Sequence, residues 1–232
     1  MKAREEIRAL ANKEIAQHSL RFFKTDKGEY GHGDLFLGVR APKIRLIAKK
    51  HIDISITDMK TLIQSKYHEE RFLGLIILVN KYAKTKDKKN RNQLYKIYVS
   101  SFKYINNWNL VDVTCPHVTG KHLIDKDRTI LYKWAKSEDL WTKRIAMIST
   151  FSFIRKNDLE DTFKIAEILL QDKHDLIHKA VGWMLREAGK RDIKKEEAFL
   201  KKHYKTMPRT MLRYSIEKFP ETKRQKYLKG TI

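Results

Sequence analysis

The stretch Lys179-Ala180-Val181-Gly182-Trp183-Met184-Leu185-Arg186-Glu187 decides the fold. Val181, Met184 and Leu185 follow one another at spacings of three and four, which lays an apolar stripe along one side of a helix, while Ala180 and Gly182 keep the packing face small. The same spacing recurs almost everywhere in the chain, and only four prolines and nine glycines interrupt it. These features specify an all-α protein.

Outward from Trp183, the chain beyond residue 40 reads as helix pairs. Each pair is a shorter amphipathic helix, a turn, and a longer helix with small residues on its packing face. The longer members begin near Glu70, Asn107, Leu140, Ile177 and Arg209, so successive starts differ by 37, 33, 37 and 32 residues. That period suits stacked helical hairpins of the solenoid class, in which each repeat buries its apolar face against its neighbours. One continuous domain over residues 1–232 is the expectation. Ahead of the pairs, a first helix is predicted over Ala3 to Lys24, and the next begins near Pro42, whose ring suits a first helical turn. Between them Gly28-Glu29-Tyr30-Gly31-His32-Gly33 lacks phosphate-loop spacing and reads as a loop.

Fifty Lys and Arg against 28 Asp and Glu give a net charge of +22. The excess is spread along the whole chain, which describes a folded basic surface and points to a polyanion, nucleic acid before a membrane surface. Basic residues recur nearly in register on the longer helices: Arg71, Arg144, Lys179 and Arg213, separated by 73 (two repeats), 35 and 34 residues. In a superhelical stack such positions share one concave face, where a row of cations follows a phosphate backbone.

Several function classes are disfavoured. Cys115 stands alone and makes no internal disulfide, and no Cys/His set has zinc spacing. His68-Glu69-Glu70 has no second His at i+4. No metal and no cofactor are expected. The start, Met1 to Glu6, turns acidic where a signal peptide needs apolar residues, and the run Phe72 to Val79 is far short of the about 20 residues that span a bilayer. The expectation is a cytoplasmic monomer, held near the nucleoid through DNA, with no membrane contact and no obligate protein partner.

Two of the four tryptophans stand beside chemistry. In Asn107-Trp108-Asn109-Leu110-Val111-Asp112 the i, i+4 spacing puts the Trp108 ring and the Asp112 carboxylate on one helical face. An aromatic wall beside an anion suits a developing cation. Trp183 lies in the opening stretch, whereas Trp134 and Trp141 read as packing residues. No Lys or Ser here has the setting of a covalent nucleophile, which disfavours lyase chemistry.

These segments together resemble the DNA alkylation repair glycosylases built from HEAT-like repeats, the AlkD family, over nearly the whole chain. Phe36-Leu37-Gly38-Val39-Arg40-Ala41-Pro42 is similar to the family's opening signature, and Trp108 to Asp112 to its Trp-x-x-x-Asp pair. Trp134 to Ser137 and Leu140 to Arg144 resemble a paired-tryptophan segment that ends in a DNA-contacting arginine. Lys179 to Glu187 carries the most specific likeness. Asn107 stands where some relatives have a second tryptophan, and Arg40 where some have a neutral polar residue.

The resemblance implies a superhelical stack of HEAT-like hairpins with a concave basic face. It also implies hydrolysis of the glycosidic bond of cationic alkylated purines, such as 3-methyladenine and 7-methylguanine, in double-stranded DNA. It assigns catalytic roles to Trp108, Asp112 and Trp183 and phosphate contact to Arg144, and it implies lesion recognition without a conventional base-reading pocket. With Arg71, Lys179 and Arg213 from the basic register, and Arg40 from the opening signature, these are the expected DNA contacts. A binding-only protein of the same fold and a helical-repeat adaptor are the competing readings. Phosphate binding alone has no use for the Asp112 carboxylate, and an adaptor would expose apolar surface in place of a basic stripe.

Overall fold

The computed structural model describes residues 1–232 and is built of helices, with one isolated β-bridge between Leu35 and Tyr67. It divides into two compact units, Met1–Val118 and Thr119–Ile232.

Unit 1 holds α1 (Lys2–Ala9), α2 (Lys13–Phe22), α3 (Ala41–Lys50), α4 (Ile56–Ile63), α5 (His68–Lys84), α6 (Lys88–Ser100) and α7 (Trp108–Asp112). The single helix predicted over Ala3 to Lys24 is in fact two. Asn12 ends the run by capping α2: its side-chain oxygen accepts the Ile15 N–H at 2.9 Å, and its own N–H donates to the Leu37 carbonyl at 2.9 Å. The segment around Gly38 lies so close to this turn that a Cβ there would come within 2.0 Å of the Asn12 carbonyl oxygen. Gly38 also has φ +79, a region that other residues rarely adopt. Pro42 sits in the first turn of α3 as its position suggests. Leu73, Leu75, Ile77 and Leu78 of α5 are fully buried, and this helix packs on α3, α4 and α6.

Unit 2 holds α8 (Thr129–Ala135), α9 (Leu140–Ser149), α10 (Phe151–Ile154), α11 (Glu160–Ile168), α12 (Asp175–Gly189), α13 (Ile193–His203), α14 (Arg209–Ser215) and α15 (Glu221–Lys229). Its central helix is α12, which buries Ile177, Ala180, Val181, Met184, Leu185 and Ala188 and packs on α9, α13 and α14. Gly182 permits the close approach of α14: a Cβ would stand 2.5 Å from the Met211 carbonyl oxygen and 2.5 Å from the Tyr214 Cβ. Asp139 and Asp192 cap α9 and α13 by accepting N–H groups from Thr142 and Lys195.

The five longer members begin at His68, Trp108, Leu140, Asp175 and Arg209, within two residues of the starts expected from spacing. Two of them are not the longer of their pair: α14 has seven residues against eleven in α13, and the Trp108 helix five against thirteen in α6. Pro116 explains the short Trp108 helix, because proline brings no N–H to the Asp112 carbonyl and its ring collides with that group. The chain instead takes a wider π-helical turn over Pro116–Gly120. No helix is long and apolar enough to cross a membrane.

Candidate functional site

In unit 1, α7 is one helical turn with Trp108 at its first position and Asp112 at its last, both part-exposed. The Trp108 ring meets Phe22 edge-on at 5.8 Å between centroids and Phe23 at 5.8 Å. Behind them Phe23 stacks on Phe36 at 5.2 Å and on His68 at 4.8 Å, so the indole rests on a wall of rings. Such rings are rigid and present negative faces to a cation.

A buried polar network fixes the chain on both sides of Trp108. Asp34 accepts from Asn106 Nδ2 at 2.8 Å and from Arg71 Nη2 at 2.8 Å, and Arg71 Nη2 also donates to Asn106 Oδ1 at 2.9 Å. His68 Nδ1 lies 3.2 Å from the same Asp34 carboxylate, while its Nε2 accepts from the Asn109 amide at 2.9 Å. A carboxylate on one ring nitrogen and an amide donor on the other put the hydrogen on Nδ1. Burial pushes the His68 pKa down, which favours the neutral ring. Burial works the other way on Asp34, yet the His68 hydrogen bond, the Arg71 charge and Asn106 together hold its carboxyl below the usual range. Asn107, fully buried, directs its amide toward the Phe23 carbonyl at 3.5 Å.

This network corrects one expectation. Arg71 does not line a solvent-facing groove: it is 4% exposed, and besides Asp34 and Asn106 its guanidinium binds the Ser65 and Lys66 carbonyls at 3.0 and 3.2 Å. A buried Asp34 requires a buried cation, and Arg71 is the one within reach. Arg40 is exposed at the start of α3.

The opening signature has a structural reason as well. Glu69, buried at the start of α5, accepts the N–H groups of Leu37, Gly38 and Val39 at 2.9, 2.8 and 3.3 Å. The carboxylate thereby fixes the segment whose Val39 and Arg40 form one wall of a cavity of about 540 Å³, the other walls coming from α2 and Phe23, α3, the start of α5 and Asn109.

In unit 2, Trp183 is part-exposed on α12 with its ring 5.8 Å from Phe151. Arg144 is 5% exposed and donates to the Leu176 carbonyl in the first turn of α12, so it too turns inward, a second correction to the expected row. A carbonyl of a neighbouring helix captures a long side chain that would otherwise reach water. Lys179 is part-exposed and bridges to Asp175 at 2.6 Å, whereas Arg213 is exposed. Trp134 and Trp141 are buried packing residues, as their sequence context suggests.

Sequence reasoning missed Asp34, His68, Asn106 and the Phe22-Phe23 pair. Three asparagines within four residues of Trp108 were a legible signal, since so polar a stretch around a large aromatic needs inward partners. No group of three or more His, Cys, Asp or Glu is placed to hold a metal ion.

A family model described as DNA alkylation repair enzyme matches residues 3–219. Among solved structures the chain is similar to a predicted DNA alkylation repair enzyme from Enterococcus faecalis, with 16% identity, coverage of 91% of this chain and 97% of that one, and a TM-score of 0.72. It is also similar to AlkD2 from Streptococcus mutans, with 18% identity, coverage of 90% of each chain and a TM-score of 0.53. No curated protein matches it. The likeness in structure shows a shared all-α fold, and the family match runs through both units from α1 to Phe219; the chain belongs to the DNA alkylation repair enzymes.

Proposed function

We propose that the protein is a DNA glycosylase that hydrolyses the N-glycosidic bond of cationic alkylated purines in duplex DNA. One observation carries this reading: α7 holds an indole and a carboxylate one turn apart, with its entry pinned by a buried network. A purine alkylated on a ring nitrogen is already a good leaving group and needs no proton from the protein. The step then requires stabilisation of an oxocarbenium-like sugar and a placed water. Asp112 opposes the sugar cation and takes the proton as water adds to C1′, while the bonding pair leaves with the base and neutralises it. Trp108 offers its ring face to the same cation, a contact worth about 0.5 to 2 kcal/mol. By resemblance Trp183 provides an aromatic contact to the lesion.

Phosphate contact falls in this reading to the cations that reach solvent: Arg40 in unit 1, Lys179 and Arg213 in unit 2. One continuous domain over residues 1–232, a monomeric state and a cytoplasmic location belong to the same reading.

The test is a duplex with a single 7-methylguanine. Incubation with the protein should leave an alkali-labile abasic site at that position. A protein that binds the duplex and leaves the base in place would be a binding-only member of the fold.

A further inference from the structure

The N-terminal end of α5 touches the candidate site, where His68 meets Asn109 of α7. Its other end, Lys84, closes a helix of 17 residues and so lies roughly 24 Å away along the axis. There the chain runs Lys84-Thr85-Lys86-Asp87-Lys88-Lys89-Asn90-Arg91 into α6, five cations against one acid. The acid is engaged: Asp87 caps α6 by accepting the Asn90 N–H at 2.7 Å. All four lysines of the run are exposed, and the ion pairs of unit 1 use none of them. Two depressions border the same residues. One of about 390 Å³ is lined by Lys81, Lys84 and Asn90, and one of about 440 Å³ by Lys84 together with Arg45 and Lys49 of α3. Lys84 and Ile52 belong to both, so they form one surface, and Asp53 is its only carboxylate.

Helix electrostatics account for part of this charge only. Lys81 and Lys84 complement the dipole in the last turn of α5. Lys88 and Lys89 do the reverse, because they stand in the first turn of α6, where the dipole is positive and α6 has no acid. Their charge works against the helix that carries it, and an anion from outside the chain would offset it. A membrane surface is a poor match, since the run from Lys84 to Arg91 has no apolar residue to insert. A phosphodiester backbone is a good one, with a charge every 3.4 Å or so along each strand, about seven over the length of α5. We propose that the C-terminal end of α5 and the opening of α6 hold the backbone of a duplex about seven base pairs to one side of the position served by α7. The register to a lesion rests on the glycosylase reading, while the backbone contact does not.

The experiment measures binding of the whole protein to duplex DNA by fluorescence anisotropy, in two parts. On an undamaged duplex, Lys84→Ala/Lys88→Ala/Lys89→Ala should flatten the slope of log affinity against log salt by about two to three units, with an unchanged melting temperature. If the triple variant does not fold, Lys88→Ala alone decides, with an expected flattening of about one unit. The second part uses duplexes with one 2′-fluorinated 7-methylguanine nucleotide, whose fluorine withdraws charge from the sugar and blocks excision during the titration. One flank stays at about twelve base pairs while the other grows from about four to about ten, and the series is then mirrored. Kd should fall about tenfold or more as the growing flank passes about seven base pairs on one side, and stay level on the other. An unmoved salt slope overturns the contact, and a gain on neither flank or an equal gain on both overturns its register. Excision from the unfluorinated duplex is read separately. A flattened slope in a protein that excises nothing overturns the glycosylase reading and keeps the contact, and excision with an unmoved slope does the reverse.

Discussion

Each unit of the molecule presents one part-exposed tryptophan, and the two are held by opposite means. Trp108 stands on a five-residue helix whose entry is fixed by Asp34, Arg71, His68 and two asparagines. Trp183 stands on a fifteen-residue helix that needs no such network, because its buried stripe and Gly182 lock it against α14. The buried carboxylates differ in the same sense. Asp34 is held low by its partners, whereas Glu196 of α13 is 2% exposed, has one oxygen without a hydrogen-bond partner, and is pushed up to about 8 chiefly by burial. Short helices require polar anchors, and long helices anchor themselves through area removed from water.

The largest effect should come from removing the anchor in unit 1. Asp34→Ala leaves Arg71 buried and unpaired, and should cost about 3 to 5 kcal/mol in urea denaturation. Lys179→Ala, which breaks a part-exposed pair in unit 2, should cost about 1 kcal/mol or less. Equal costs would erase the contrast between the two units.

Next comes the chemistry assigned to α7. Asp112→Asn keeps the shape and removes the charge, so single-turnover excision should fall about a hundredfold or more while DNA affinity stays level or rises. Trp183→Ala should lose less. Full activity in Asp112→Asn, measured beside binding on one lesion duplex, would take the carboxylate out of catalysis. Uracil and hypoxanthine, neutral in DNA, should be poor substrates on the same assay, since no acid is in place to protonate them.

Glu196 gives the comparison a pH dependence. Its folded pKa lies above the ordinary 4.5, so its contribution to stability is full below about pH 4.5 and is lost as pH rises through about 8. Glu196→Gln cannot ionise, and should therefore gain on the wild type by about 4 kcal/mol between pH 5 and pH 9. A constant difference across that range in thermal melts would mean that the carboxyl finds a partner as it ionises.

The smallest effect concerns the cations. Arg213→Ala should weaken binding alike for all DNA sequences and flatten the slope of log affinity against log salt by about one unit. Arg144→Ala, with its guanidinium turned onto the Leu176 carbonyl, should lower the melting temperature and leave that slope unchanged. A flattened slope in Arg144→Ala would bring it back among the phosphate contacts.

The sequence by itself determined what depends on neighbours along the chain. Apolar spacing placed the starts of the longer helices within two residues, and the i, i+4 relation put Trp108 and Asp112 at the two ends of one helical turn. It also marked Trp134 and Trp141 as core. Tertiary structure alone decided which polar groups face water. Arg71 and Arg213 stand at the fourth and fifth positions of their helices, yet one is buried and the other exposed, because Asp34 reaches Arg71 from 37 residues away. The break at Asn12 has the same origin: the Leu37 carbonyl and the close approach of Gly38 come from a distant segment. Helical periodicity is a local property that propensity and spacing record, whereas the partner of a buried charge is chosen by contacts that no spacing along the chain expresses.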